Sequence, residues 1–286
     1  MPSIKQIAKL FSSRHQTLQL EYKTDFKPRY GYGKPPHQQL YDLINANRSD
    51  YMSQLQKWTV HKEIFRAIKK TGAQESDPAR PFYFNDFLPA LDMLSLYGYL
   101  SELNPDKYVE IGSGNSTKVA HLAKKNNQLK TDIISIDPYP RAVIKDLTDG
   151  VHEEKFEDVN FDFLFDLKEN DIVFVDNSHR VFPNSDATVF FMEVLPRLNK
   201  GVIVQIHDIY LPYDYPQDMC DRAYSEQYVL AAYLLANPER YQTILPNIFI
   251  SRDNELQGFM NAHMWHDSYF SEVQTHGGSY WLRIGR

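Results

Sequence analysis

The chain has 286 residues, 42% of them hydrophobic and 24% charged, a composition that suits one large α/β domain with an accessory segment and a sizeable core. A formal net charge of −6 gives no field that would draw in a polyanion, so nucleic acid is not expected as a partner. The single cysteine, Cys220, excludes an internal disulfide and a cysteine-based zinc cage; residues 1–25 hold no uninterrupted apolar run, so a cytoplasmic protein with no membrane span is expected.

Residues 1–79 carry helical patterns broken by the turn-rich stretch from Lys27 to Pro36. Leu40, Leu43 and Ile44 share one face of a helix starting just after Pro35-Pro36, and Tyr51, Leu55 and Trp58 share one face of the next. The run from Gln74 to Pro81 reads as a linker. After it, Leu88, Leu91, Leu94, Leu96, Tyr97 and Leu100 mark a buried helix that ends near Asn104-Pro105. The division expected is therefore an N-terminal helical extension or lid over 1–79 and a second unit over 80–286.

From Lys107 onward, short β-rich runs alternate with helical or mixed stretches: Tyr108 to Ile111, Ile133 to Ile136, Ile172 to Val175 and Val202 to Ile206. That alternation predicts βαβ units and a parallel sheet, and strands apolar on both faces predict helices covering both sides. Two closing strands are expected around Tyr241 to Leu245 and Tyr280 to Ile284. Most of the 19 tyrosines and 17 phenylalanines are expected in the core, with those in loops free to line a pocket for a flat acceptor.

The run from Tyr108 to Ala120 is a strand, a glycine-bearing turn and a helix start. Gly112 and Gly114 allow positive φ and leave no Cβ between the chain and a ligand, and Ser116 and Thr117 place hydroxyls at a helix N-terminus that favours an anion. About 20 residues on, Asp137 ends the next strand, where doubly wound folds put an acid for ribose hydroxyls. The position three after Gly114 is Thr117, so the third glycine of the dinucleotide fingerprint is absent and pyrophosphate is disfavoured.

Glu110-Ile-Gly-Ser-Gly-Asn-Ser-Thr117 resembles the first motif of the class I S-adenosylmethionine-dependent methyltransferases, with Asp137 like their ribose-binding acid and Asp176 like the residue ending their fourth strand. The resemblance spans about residues 83–286. It implies a doubly wound, mostly parallel seven-stranded Rossmann-like α/β sheet behind the N-terminal helical extension, with S-adenosyl-L-methionine as cofactor. It also implies a cofactor site of Glu110, Gly112, Ser113, Gly114, Asn115, Ser116, Thr117, Asp137 and Asp176, with adenine near Glu157 to Asn160.

Two stretches place polar groups at the ends of neighbouring strands: Asp176-Asn177-Ser178-His179 and His207-Asp208. His179, with an ordinary pKa near neutrality, suits a general base for a hydroxyl acceptor, and the bland reading of Asp176 is a turn-capping carboxylate. The pattern resembles metal-dependent small-molecule and sugar O-methyltransferases, which implies His179 and Asp176 as catalytic and a divalent metal ion at Asp176, His207 and Asp208. An imidazole in that set favours Zn, Ni or Fe over Mg. Tyr210 to Pro216 is expected as a lid, and Pro81 to Phe87 as a flap over the cofactor mouth. The function expected is O-methylation of a small-molecule substrate, with an NAD-type oxidoreductase and a catalytically silent cofactor-binding scaffold as alternatives, and with a homo-oligomer left open.

Overall fold

The computed structural model describes Ser12 and residues 17–286, so the first part of the 1–79 extension, and of the 1–25 stretch read for an export signal, lies outside the described residues. Among the described residues the first α-helices are α1 (Gln38–Asn45), α2 (Arg48–Trp58) and α3 (Lys62–Arg66). α1 starts directly after Pro35-Pro36, with the His37 ring accepting the Leu40 amide at 3.4 Å. Leu40, Ile44, Tyr51, Leu55 and Trp58 are buried, as their spacing predicts, and Leu43 is partly buried.

These apolar faces form no core of their own; they join the hydrophobic cluster that runs through the sheet. Trp58 shows how. Its indole lies against α4 (Ala90–Leu103) at Gly98, where a Cβ would come within 2.4 Å of the ring, and it meets Tyr99 edge-on with ring centroids 4.8 Å apart. The boundary expected at residue 79 is thus not marked by a break in packing.

The sheet has seven strands in the order β3-β2-β1-β4-β5-β7-β6: β1 (Lys107–Ile111), β2 (Asp132–Ile136), β3 (Gly150–His152), β4 (Ile172–Val175), β5 (Ile203–Ile206), β6 (Tyr241–Pro246) and β7 (Tyr280–Ile284). β1 to β5 pair in parallel, and β7 runs antiparallel to both β5 and β6. β4 and β5 are buried along their whole length, as expected for strands covered on both faces. The crossovers include α5 (Asn115–Asn127) after β1, α6 (Ala142–Lys145) after β2 and α7 (Asp186–Val189) after β4. After β5 come α8 (Gln217–Asp221) and α9 (Glu226–Ala236), and after β6 come α10 (Asn247–Arg252) and α11 (Asn254–His263).

The connections turn in opposite directions from β1 and β4, which opens a crevice at the carboxyl ends of those two strands, where doubly wound sheets bind ligands. Among the described residues no helix is long and apolar enough to cross a membrane.

Candidate active site at the carboxyl edge of the sheet

At the end of β1 the chain must turn without touching β4. Gly112 does so with φ +85°, and a Cβ there would lie 2.2 Å from the Asp176 carbonyl oxygen, so no other residue fits without moving the strands. Glu110, fully buried just before it, accepts hydroxyls from Tyr108 at 3.2 Å and Ser116 at 3.0 Å, and from Thr117 and Ser135 at short distance. The carboxylate therefore ties β1, β2 and the first turn of α5 together. Burial outweighs these donors and pushes its pKa up to about 7.

This arrangement corrects one expectation. The Ser116 and Thr117 hydroxyls turn inward to Glu110 and do not face the crevice as free donors, although Ser116 still borders it. Asp137 is held by the turn: its Oδ2 accepts the Ser113 amide at 3.1 Å and hydroxyl at 2.5 Å, and its Oδ1 accepts the Tyr139 amide at 2.8 Å. A Cβ at Gly114 would meet nothing within 4 Å, which leaves open space above the turn.

Two clefts flank the turn and share Ser113 and Asp176. One is bordered by Gly112, Asp137, Phe156, Glu157, Asn177 and Asp186; the other by Phe82, Asn85, Phe87, Asn115, Lys118 and Arg141. Pro81 to Phe87 thus lies at the mouth as expected. Tyr210 to Pro216 departs from its expected role as a lid: Asp214 and Tyr215 are buried, and Asp214 accepts the Arg29 amide at 2.8 Å and the Tyr228 hydroxyl.

Behind Asp176 the ends of β4 and β5 converge. His179 Nε2 lies 3.4 Å from Asp176 Oδ1 and 3.6 Å from Asp208 Oδ2, and its Nδ1 lies 2.6 Å from Glu226 Oε1. The ring stacks on Tyr224 with centroids 4.6 Å apart. His207 Nδ1 lies 3.4 Å from Asp208 Oδ1 and 3.8 Å from Asp176 Oδ1, with Nε2 3.2 Å from Asp92 Oδ2. His179 and Asp208 both take positive φ, 61° and 53°, a conformation few side-chain-bearing residues adopt and one that collects at functional sites.

Electrostatics decide the protonation of the two rings. Burial favours neutral imidazole, but for His179 the carboxylates of Asp176 and Glu226 outweigh it and push the pKa up to about 11. For His207 burial is likewise outweighed, by Asp208, Asp176 and Asp92, and the pKa stands near about 10. Asp176 is correspondingly held below the usual carboxylate range: burial would raise it, and the two imidazoliums overcome that. The near-neutral base expected at His179 is therefore an imidazolium in this geometry.

Among the described residues no group of three or more His, Cys, Asp or Glu side chains is arranged to hold a metal ion. Asp176, His207 and Asp208 do meet, with His207 Nδ1 facing both carboxylates.

Two buried acids escaped the sequence reading. Asp92, in the first turn of α4, accepts the Asn247 side chain and the Gly278 and Ser279 amides at 2.7, 2.7 and 2.9 Å, and so fixes both His207 and the start of β7. The signal available was an acid inside an apolar helix run. Glu226 opens α9 and carried no signal, because only the tertiary fold brings it to His179.

A crevice at the β1/β4 switch point, a glycine turn after β1 and an acid at the end of β2 are the features of a Rossmann-like α/β domain. Residues 109–209 match the family model described as a methyltransferase domain. No curated protein matches the sequence. Among solved structures, the SAH-bound methyltransferase PaMTH1 of Podospora anserina is 15% identical over 85% of this chain and 96% of that one, with a TM-score of 0.42. The plantazolicin methyltransferase BpumL, in complex with a pentazolic desmethylPZN analog and SAH, is 12% identical over 87% and 100%, with a TM-score of 0.43. MycE, from the mycinamycin biosynthetic pathway and in complex with Mg, SAH and mycinamycin VI, is 15% identical over 66% and 48%, with a TM-score of 0.38.

Proposed function

We propose that the chain uses S-adenosyl-L-methionine to methylate a hydroxyl of a small metabolite or sugar-like acceptor in the cytoplasm. The observation that carries this reading is the position of Asp176, which borders both clefts beside the glycine turn and also contacts the buried acid–imidazole cluster. The residues present suit the cofactor: Asp137 for ribose hydroxyls, the Gly112 to Asn115 turn for the amino acid end, and Glu157 beside the adenine. Asn115 and Asn177 add buried side-chain polar atoms that have no hydrogen-bond partner among the described residues. When bound, S-adenosyl-L-methionine supplies an electrophilic methyl group on a sulfonium.

The protein's part is to hold the acceptor oxygen in line and to take its proton. An acceptor hydroxyl would become strongly acidic on methylation by the bound cofactor, so a carboxylate would be a sufficient base. The Asp176 side chain is 37% exposed to the crevice, whereas that of His179 is 9% exposed. Asp176 therefore receives the proton, and His179 and His207 orient it from behind.

Asp176→Asn keeps shape and removes the proton acceptor. Turnover of a hydroxyl acceptor, measured with cofactor saturating, is expected to fall by about 10² to 10⁴. A variant running at the wild-type rate contradicts the role and shifts the acceptor class to an already nucleophilic nitrogen or sulfur. Chelator is expected to leave wild-type turnover unchanged; a loss restored by a divalent ion returns a metal to Asp176 and Asp208.

A further inference from the structure

We infer that a cavity at the end of the sheet opposite the crevice is a second binding site, for a small amino-carboxylate such as an amino acid or a short peptide. The cavity measures about 560 Å³ and lies between α1, α2 and the edge formed by β6 and β7. Arg283, which lines it, pairs with Ile203 at the start of β5, whereas the crevice opens at the carboxyl ends of the parallel strands. Tyr99, also on the cavity, follows Asp92 by about two turns of α4, about 10 Å along its axis. The cavity is thus apart from both the glycine turn and the acid–imidazole cluster.

Tyr99 is only 5% exposed, yet its hydroxyl makes no hydrogen bond among the described residues, although the buried hydroxyls of Tyr51, Tyr83 and Tyr280 each do. Burial, and then Glu102, hold its pKa above the ordinary value against the pull of Arg283, so the group stays a donor at neutral pH. A donor this deep is left for whatever fills the cavity. Arg283 is partly buried and has neutral partners alone: its Nη1 donates to Asn170 Oδ1 at 3.1 Å and to the Gly201 carbonyl at 3.4 Å, with no acid in ion-pair reach among the described residues. Its remaining N–H groups and the Tyr99 hydroxyl suit one carboxylate. On the exposed side, Asp50 and Glu239 line the same cavity and form no ion pair among the described residues, which favours an ammonium there and disfavours a second anionic group. Tyr51 and Ile244 supply an apolar wall for the body of the ligand.

Ligand-observed NMR on the full chain tests the site, screening the L-amino acids and their dipeptides beside the carboxamide of each, with and without S-adenosylhomocysteine. Tyr99→Phe is the matching variant: its hydroxyl has no partner among the described residues to lose, and an unchanged unfolding transition checks the fold. At least one amino-carboxylate is expected to bind, its carboxamide at least about tenfold more weakly, and Tyr99→Phe is expected to weaken the same ligand at least about tenfold. S-adenosylhomocysteine is expected to leave that binding in place. No binding anywhere in the panel overturns the site, as does an affinity that Tyr99→Phe leaves unchanged. Displacement of the bound probe by S-adenosylhomocysteine also overturns it, because the probe then sits in the crevice.

Discussion

Glu110 is a carboxylate removed from water at the end of β1 and met there by four hydroxyls. Its pKa, about 7 against the ordinary 4.5, means that the folded state keeps a proton that the unfolded chain has released between those pH values. Its contribution to stability is therefore fully present below about pH 4.5 and lost as pH rises through about 7, a change on the order of 3 kcal/mol. Glu110→Gln removes this dependence, so the variant should gain that much relative to wild type between pH 4.5 and 8 in urea unfolding. Parallel pH profiles contradict the assignment. At this scale the sequence was informative wherever a residue ends a strand: Asp137, Asp176, His179, His207 and Asp208 all reach the crevice or its back wall. It was uninformative where charge is set by tertiary neighbours. Neither Asp92 nor Glu226 shows from sequence that it will sit beside an imidazole, and without them the two histidines read as neutral.

Helices and strands were legible in proportion to their apolar periodicity. α1, α2 and α4 and the four parallel strands read from sequence stand where expected, because each buries a continuous face. β3 did not show, since three half-buried residues at a sheet edge leave no pattern. The docking of the N-terminal helices was equally hidden, because it depends on a missing side chain. Replacing a mid-helix glycine by alanine ordinarily stabilises by about 1 kcal/mol. At Gly98 the added Cβ would stand 2.4 Å from the Trp58 ring, and overpacking of this kind costs about 1 to 3 kcal/mol, so the clash wins. Gly98→Ala should lower unfolding stability by about 1 kcal/mol, and Trp58→Ala in the same background should abolish that penalty. A Gly98→Ala protein more stable than wild type contradicts the docking.

At the scale of the molecule, the strand order and the crevice between β1 and β4 suit the ligand proposed above. A net charge of −6 adds no attraction for polyanions, which fits a small ligand recognised by short-range contacts. Asp137 is the residue on which the nucleoside assignment turns: it presents a carboxylate at the crevice, and replacing it with Ala removes charge-assisted hydrogen bonds worth about 1.5 to 3 kcal/mol. The direct test is calorimetric titration of the wild-type and Asp137→Ala proteins with S-adenosylhomocysteine and with NAD. Binding of S-adenosylhomocysteine alone, weakened by about 10- to 150-fold in the variant, is the predicted result; binding of NAD in its place, or an affinity for S-adenosylhomocysteine untouched by the loss of Asp137, would contradict it.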